Sequence, residues 1–143
     1  MKIRSVLLTA ALAMIASLAA IVPSASADGI STFYVTIRTA DLPDAGTEDH
    51  VRLTMFGPNG ACGPFQFDKD FHRGDTWVSG KLKCPNIGTP SWISLGKGGG
   101  HKDAWYAEYV HIYEEGPGTN VHCEVNYLYP KSSETKFWGC SQI

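Results

Sequence analysis

Apolar and polar side chains alternate with a period of two along short runs of this chain. Phe33, Val35 and Ile37 interleave with Tyr34, Thr36 and Arg38, and Val51, Leu53 and Met55 interleave with Arg52, Thr54 and Phe56. That period puts each apolar set on one face of a β-strand, whereas a helical stripe needs returns at three and four residues. Further short runs span 64–67, 76–82, 92–95, 105–113, 121–129 and 135–138. Gly57-Pro58-Asn59-Gly60, Gly74-Asp75, Gly88-Thr89-Pro90 and Gly116-Pro117-Gly118 separate them with turn chemistry. About eight strands at this spacing predict an all-β fold, an antiparallel eight-stranded β-sandwich or a barrel. On the run 105–113, Tyr106, Val110 and Ile112 are expected to face inward and Tyr109, His111 and Tyr113 to form an outer aromatic ladder.

The first residues read as an address. Lys2 and Arg4 precede an apolar stretch from Val6 to Val22, and Ser24-Ala25-Ser26-Ala27 supplies a small-x-small ending. This is the pattern of a secretory signal peptide, residues 1–27, and the apolar stretch is short for a membrane span. Residues 28–143 then form a single domain, secreted and without a transmembrane segment after cleavage. Cys62, Cys84, Cys123 and Cys140 all lie in it. An even cysteine count in an exported chain points to disulfides rather than zinc, since no Cys-x-x-Cys pair occurs. Cys62 with Cys84 and Cys123 with Cys140 is the favoured pairing, each closing a local loop, but the other connectivities stay open.

Charge removes one class of partner. Twelve Lys plus Arg face fourteen Asp plus Glu, for a formal net charge of -2. Nucleic-acid binding rests on clustered basic residues, so none is expected here.

Several segments in order carry a family resemblance. Tyr34-Val35-Thr36-Ile37-Arg38-Thr39 leads through Asp41 into Ala45-Gly46-Thr47-Glu48-Asp49-His50-Val51; Phe71-His72-Arg73-Gly74-Asp75-Thr76-Trp77 follows, and Trp105 with Val110-His111-Ile112 closes the series. Over about Phe33 to Leu128 this resembles the PLAT/LH2 family, the β-sandwich domain of lipoxygenases and some lipases. The resemblance implies a non-catalytic adaptor for a lipid or membrane surface or for a protein partner, in some members with calcium. It also implies that Trp77 and Trp105 pack in the core.

Calcium needs six to eight hard oxygen ligands. Candidate oxygens lie on Asp44, Glu48, Asp49, Asp68, Asp70 and Asp103, with main-chain carbonyls from Gly46 and Thr47, and an affinity of about 0.1 to 1 mM is expected of such an extracellular site. The same residues also read as turn and cap residues. For membrane or partner contact the candidates are Trp92, because an exposed indole settles at the headgroup boundary, and a basic edge from Lys97 and Lys102. Gly98-Gly99-Gly100 beside Lys97 lacks the phosphate-loop spacing and reads as a flexible hairpin connection.

Catalysis is not expected. No His-Glu-x-x-His or Gly-x-Ser-x-Gly occurs, and Glu114 and Glu115 are adjacent, so on a strand they face opposite ways. His111 and His122 could meet across neighbouring strands and bind a metal. The competing readings are a secreted protein-binding inhibitor or structural partner and, below it, a small hydrolase.

Overall fold

The computed structural model describes residues 29–143, and the expected signal peptide lies outside them. Nine strands follow in order: β1 (Ile30–Thr39), β2 (His50–Gly57), β3 (Gly60–Phe67), β4 (Thr76–Val78), β5 (Leu82–Pro85), β6 (Trp92–Gly98), β7 (Trp105–Glu114), β8 (Thr119–Tyr129) and β9 (Glu134–Gln142). There is no helix among the described residues. All pairings are antiparallel, in the order β3-β2-β6-β9-β8-β7-β1-β4, with β5 also on β1. The expected β-sandwich is therefore present, with eight strand positions. β5 pairs with the first part of β1 and β4 with its last part, so the two share one edge.

That split has a local cause. The run 76–82 reads as one strand, but Ser79 interrupts it: its amide donates to the Val35 carbonyl (2.8 Å) while its hydroxyl oxygen accepts from the Val35 amide (2.9 Å). One residue thus satisfies both ladder groups of Val35, and the chain turns at Gly80 to resume as β5.

β9 is where the sheet folds over. Glu134 to Gly139 pair with β6, whereas Cys140 to Gln142 pair with β8. Cys123–Cys140 joins β8 to β9 at that corner, and Cys62–Cys84 joins β3 to β5, the two open edges. The favoured cysteine pairing is the one observed.

Between the layers lie Phe33, Val35 and Ile37 of β1, Val51, Leu53 and Met55 of β2, Ile93 and Leu95 of β6, and Val110 and Ile112 of β7, all buried. Tyr129 spans them: its hydroxyl donates to the Leu95 carbonyl (2.7 Å) and accepts from Trp138 Nε1 (3.1 Å). Trp105 is buried as expected, while Trp77 is half-buried and packs edge-on to Phe67 and Phe71. Tyr106 departs from expectation. A bulge between Ala107 and Tyr109 inverts the phase of the strand, so Trp105 and Ala107 are buried with Val110 and Ile112, and Tyr106 is only half-buried.

Candidate functional site

The connections after β1, β3 and β6 meet at one end of the sandwich, and they carry most of the acidic candidates. Thr47 and Phe71 exchange both backbone hydrogen bonds at 2.8 Å, which brings the first two connections together. Gly46 is needed for this approach: a Cβ there would lie 2.7 Å from the Phe71 carbonyl oxygen. The Thr47 hydroxyl accepts from the Asp49 amide (3.0 Å) and donates to Asp103 Oδ1, while Asp103 Oδ2 accepts from the Glu48 amide (2.9 Å). Asp103 therefore ties the third connection to the first.

Asp49 is 1% exposed and its partner Lys97 is 3% exposed. Lys97 Nζ lies 2.6 Å from Asp49 Oδ2, and Oδ1 accepts from the His101 amide at 2.8 Å. Burial acts to raise the Asp49 carboxyl, but the hydrogen bond from Lys97, the His101 amide and the Lys97 charge outweigh it and hold the group below its ordinary 3.8. Lys97 is inside because β6 runs on to Gly98 with Ile93, Leu95 and Lys97 on one face. It cannot contribute to the expected basic edge, so of the two lysines expected there only Lys102 is exposed. The glycine run is likewise more than a hairpin connection: β6 and β7 do not pair, and a Cβ at Gly99 would lie 2.5 Å from Asp49 Oδ1. Gly99 lets the backbone close over the ion pair.

The eight calcium candidates do not converge on one point. Glu48, Asp68 and Asp70 line a cleft with Gly99, Gly100 and His101, with Asp49 at its floor. Asp44, Gly46, Thr47, Glu48 and Asp103 line a neighbouring depression with Phe71 and Arg73, although Thr47 itself is buried; Asp44, Gly46 and Asp103 also border Lys102 and Lys131. Both oxygens of Asp49 and of Asp103 already accept hydrogen bonds from the chain itself. Among the described residues no three His, Cys, Asp or Glu side chains form a ready metal-ligating group.

Trp92 stands elsewhere. It pairs with Phe56 of β2 and Gly139 of β9 at the opposite end of β6, about 20 Å from the acidic rim at the usual strand rise of about 3.3 Å per residue. It is 54% exposed, Phe137 is 65% exposed, and the Phe56 and Phe137 rings lie 5.9 Å apart. These three side chains make an aromatic surface on the outer face of the β2-β6-β9 layer. Phe56 and Phe137 were not singled out from the sequence, although Phe56 shares its phase with Arg52 and Thr54 and is an aromatic residue on a polar face. Lys97 and Lys102 are at the far end from Trp92.

On the other layer His111 and His122 are direct cross-strand partners, with Tyr109 stacked on His111 at 4.5 Å. Burial, and secondarily the charge of His122, lower the His111 pKa below its usual 6.5.

The fold has relatives. Residues 33–138 match the family model described as PLAT/LH2 domain. No curated protein sequence matches the chain. Among solved structures, the Delta413-417:GS variant of an LOX superposes with a TM-score of 0.69 at 18% identity, over 78% of this chain and 16% of that one. Coral 8R-lipoxygenase, whose structure is described as showing calcium activation via a C2-like domain, gives 0.63 at 19% identity over 77% of this chain and 17% of its own. Alpha toxin from Clostridium absonum gives 0.57 at 22% identity over 73% and 30%. The chain thus spans under a third of each of these proteins, and at such identity the likeness is one of fold. With the family model covering β1 through most of β9, the chain belongs to the PLAT/LH2 domain family.

Proposed function

We propose that this protein is a secreted, non-catalytic binding module that attaches to a lipid surface through the aromatic face formed by Phe56, Trp92 and Phe137. The observation that carries this reading is the joint exposure of Trp92 and Phe137 on one sheet face, where a folded chain ordinarily places polar side chains. An indole and a phenyl ring gain by moving to the headgroup boundary, and covering their exposed parts contributes about 4 to 7 kcal/mol at 25 cal/mol per Å². That is a weak, reversible attachment. The two disulfides accord with an oxidising, extracellular setting.

The acidic rim plays a separate part. Glu48, Asp68 and Asp70 line one cleft with the hard oxygens that calcium prefers and would hold it by drawing closer together, with main-chain carbonyls and water completing the shell, whereas Asp49 and Asp103 are committed to the fold. Calcium activation is stated of the coral 8R-lipoxygenase relative through its C2-like domain. Calcium would make this rim less negative; it would not bridge to lipid beside Trp92, which lies at the other end.

Co-sedimentation with phosphatidylcholine vesicles tests the attachment. The chain is expected to pellet with vesicles, and Trp92→Ala/Phe137→Ala to lose at least ten-fold in partitioning with unchanged circular dichroism. Equal partitioning of the double variant, or no pelleting of the parent with or without millimolar calcium, overturns the lipid reading and leaves the face for a protein partner. Calcium itself is read by calorimetry, where Asp68→Asn/Asp70→Asn is expected to abolish the millimolar-range heat; an unchanged isotherm rejects the cleft.

A further inference from the structure

The outer face of the β1-β7-β8 layer carries chemistry that neither the aromatic face nor the acidic rim uses. His111 Nε2 lies 2.6 Å from His122 Nδ1, so two imidazole nitrogens point at one spot between the strands. The other ring nitrogen of His122, Nε2, lies 2.7 Å from Glu124 Oε2. An ionised carboxylate only accepts, so in neutral His122 the proton sits on Nε2 and Nδ1 presents a lone pair towards His111. Glu124 is itself held, since its Oε1 accepts from Asn126 Nδ2. Tyr109 stacks on His111 and fixes its plane.

We propose that His111 and His122 bind one divalent transition-metal ion of the zinc or copper class, through His111 Nε2 and His122 Nδ1, with Glu124 orienting His122 from behind.

The donor type sets the class. Imidazole nitrogen suits zinc and copper, whereas calcium and magnesium need oxygens, so this position and the acidic rim select different ions. A carboxylate on the far nitrogen of a ligating histidine is the usual outer partner of such sites, fixing tautomer and orientation. With metal–nitrogen bonds of about 2.0 to 2.1 Å, two ligands at angles between square and tetrahedral stand about 3 Å apart. The rings need to open only slightly from 2.6 Å, and both are half-buried on the surface side of the sheet. The proton that His111 Nε2 shares with His122 in the metal-free pair moves to His111 Nδ1, so both ligands remain neutral. In register on either side stand Thr36 of β1 and Ser141 of β9, which add no charge. Because no third His, Cys, Asp or Glu converges there among the described residues, water completes the coordination.

Calorimetric titration of the oxidised full chain with zinc chloride, and copper(II) electron paramagnetic resonance, test the assignment. One ion per chain is expected, with a copper spectrum showing coupling to two imidazole nitrogens. His122→Ala and His111→Ala should each weaken binding at least ten-fold, and Glu124→Gln about ten- to a hundred-fold, the range seen when an outer carboxylate is lost. His72→Ala, an exposed histidine in the connection after β3, should leave it unchanged. Both target histidines are partly exposed, and circular dichroism of each variant verifies folding. Absence of binding at millimolar zinc, or an isotherm unaltered by His122→Ala, overturns the proposal.

Discussion

Asp49→Ala is expected to destabilise the protein by about 3 to 5 kcal/mol, the cost of leaving one member of a buried ion pair without its partner. Lys97 Nζ is held at 2.6 Å by Asp49 Oδ2, and both side chains are almost wholly excluded from water. Removing the carboxylate leaves a buried ammonium without its counter-charge, and it also frees the His101 amide, which donates to Asp49 Oδ1. The double variant Asp49→Ala/Lys97→Met separates the pair's worth from the penalty for breaking it. It should recover most of the loss, because replacing both charges by apolar groups is often neutral. Guanidinium unfolding with the disulfides intact measures all three chains. A single-variant loss under 1 kcal/mol would falsify the claim that this pair is desolvated.

The same pair fixes a pH dependence. The folded Asp49 carboxyl is lowered from 3.8, so the unfolded chain takes up its proton first as the solution is acidified. Its stabilising contribution is therefore complete above the unfolded value near 3.8 and is lost as pH falls through the lower folded value. Asp49→Asn should flatten the acid limb of a stability-against-pH curve below about pH 4, in line with that linkage.

How far the sequence reveals these features depends on the range of the interaction. Alternation along Phe33 to Ile37 and Val51 to Met55 is a local property, and both strands and their inward faces follow from it. The bulge at Glu108 is not local. It arises from pairing with β1 and β8 and turns Tyr106 out of the core that its spacing to Val110 implied. Lys97 was hidden for a related reason: a lysine next to three glycines looks like a loop residue, and only its phase with Ile93 and Leu95 hints that it points inward. Its partner lies 48 residues away. Trp92 was legible as a contact candidate by its place after Gly88-Thr89-Pro90-Ser91, though a sandwich position suited it as well, and Phe56 and Phe137 reach it only through the β2-β6-β9 register. The acidic rim was legible as a set of loops, though not its division, since internal donors claim Asp49 and Asp103 while Glu48, Asp68 and Asp70 stay at the surface.

Removing Cys62–Cys84 is expected to lower the melting temperature by about 10 to 15 °C, from a loss of about 3 kcal/mol for a loop of this size and about 4 °C per kcal/mol for a domain of this length. The loops closed by the two disulfides are similar, with separations of 22 and 17 residues, so chain entropy alone predicts almost equal losses. Position in the fold distinguishes them. Cys123 and Cys140 are already register partners in the β8-β9 ladder, whereas β3 and β5 share no pairing and lie at the two ends of the sheet order. β5 is only four residues long, and Cys84 is its buried anchor to the other layer. Cys62→Ser/Cys84→Ser should therefore release β5 and β3 to rapid amide hydrogen exchange while β7 and β8 stay protected. Cys123→Ser/Cys140→Ser should lower stability with no such gradient, because backbone hydrogen bonds still hold that corner. Matching exchange patterns in the two variants would show that the sandwich does not depend on a covalent clasp at its open edge.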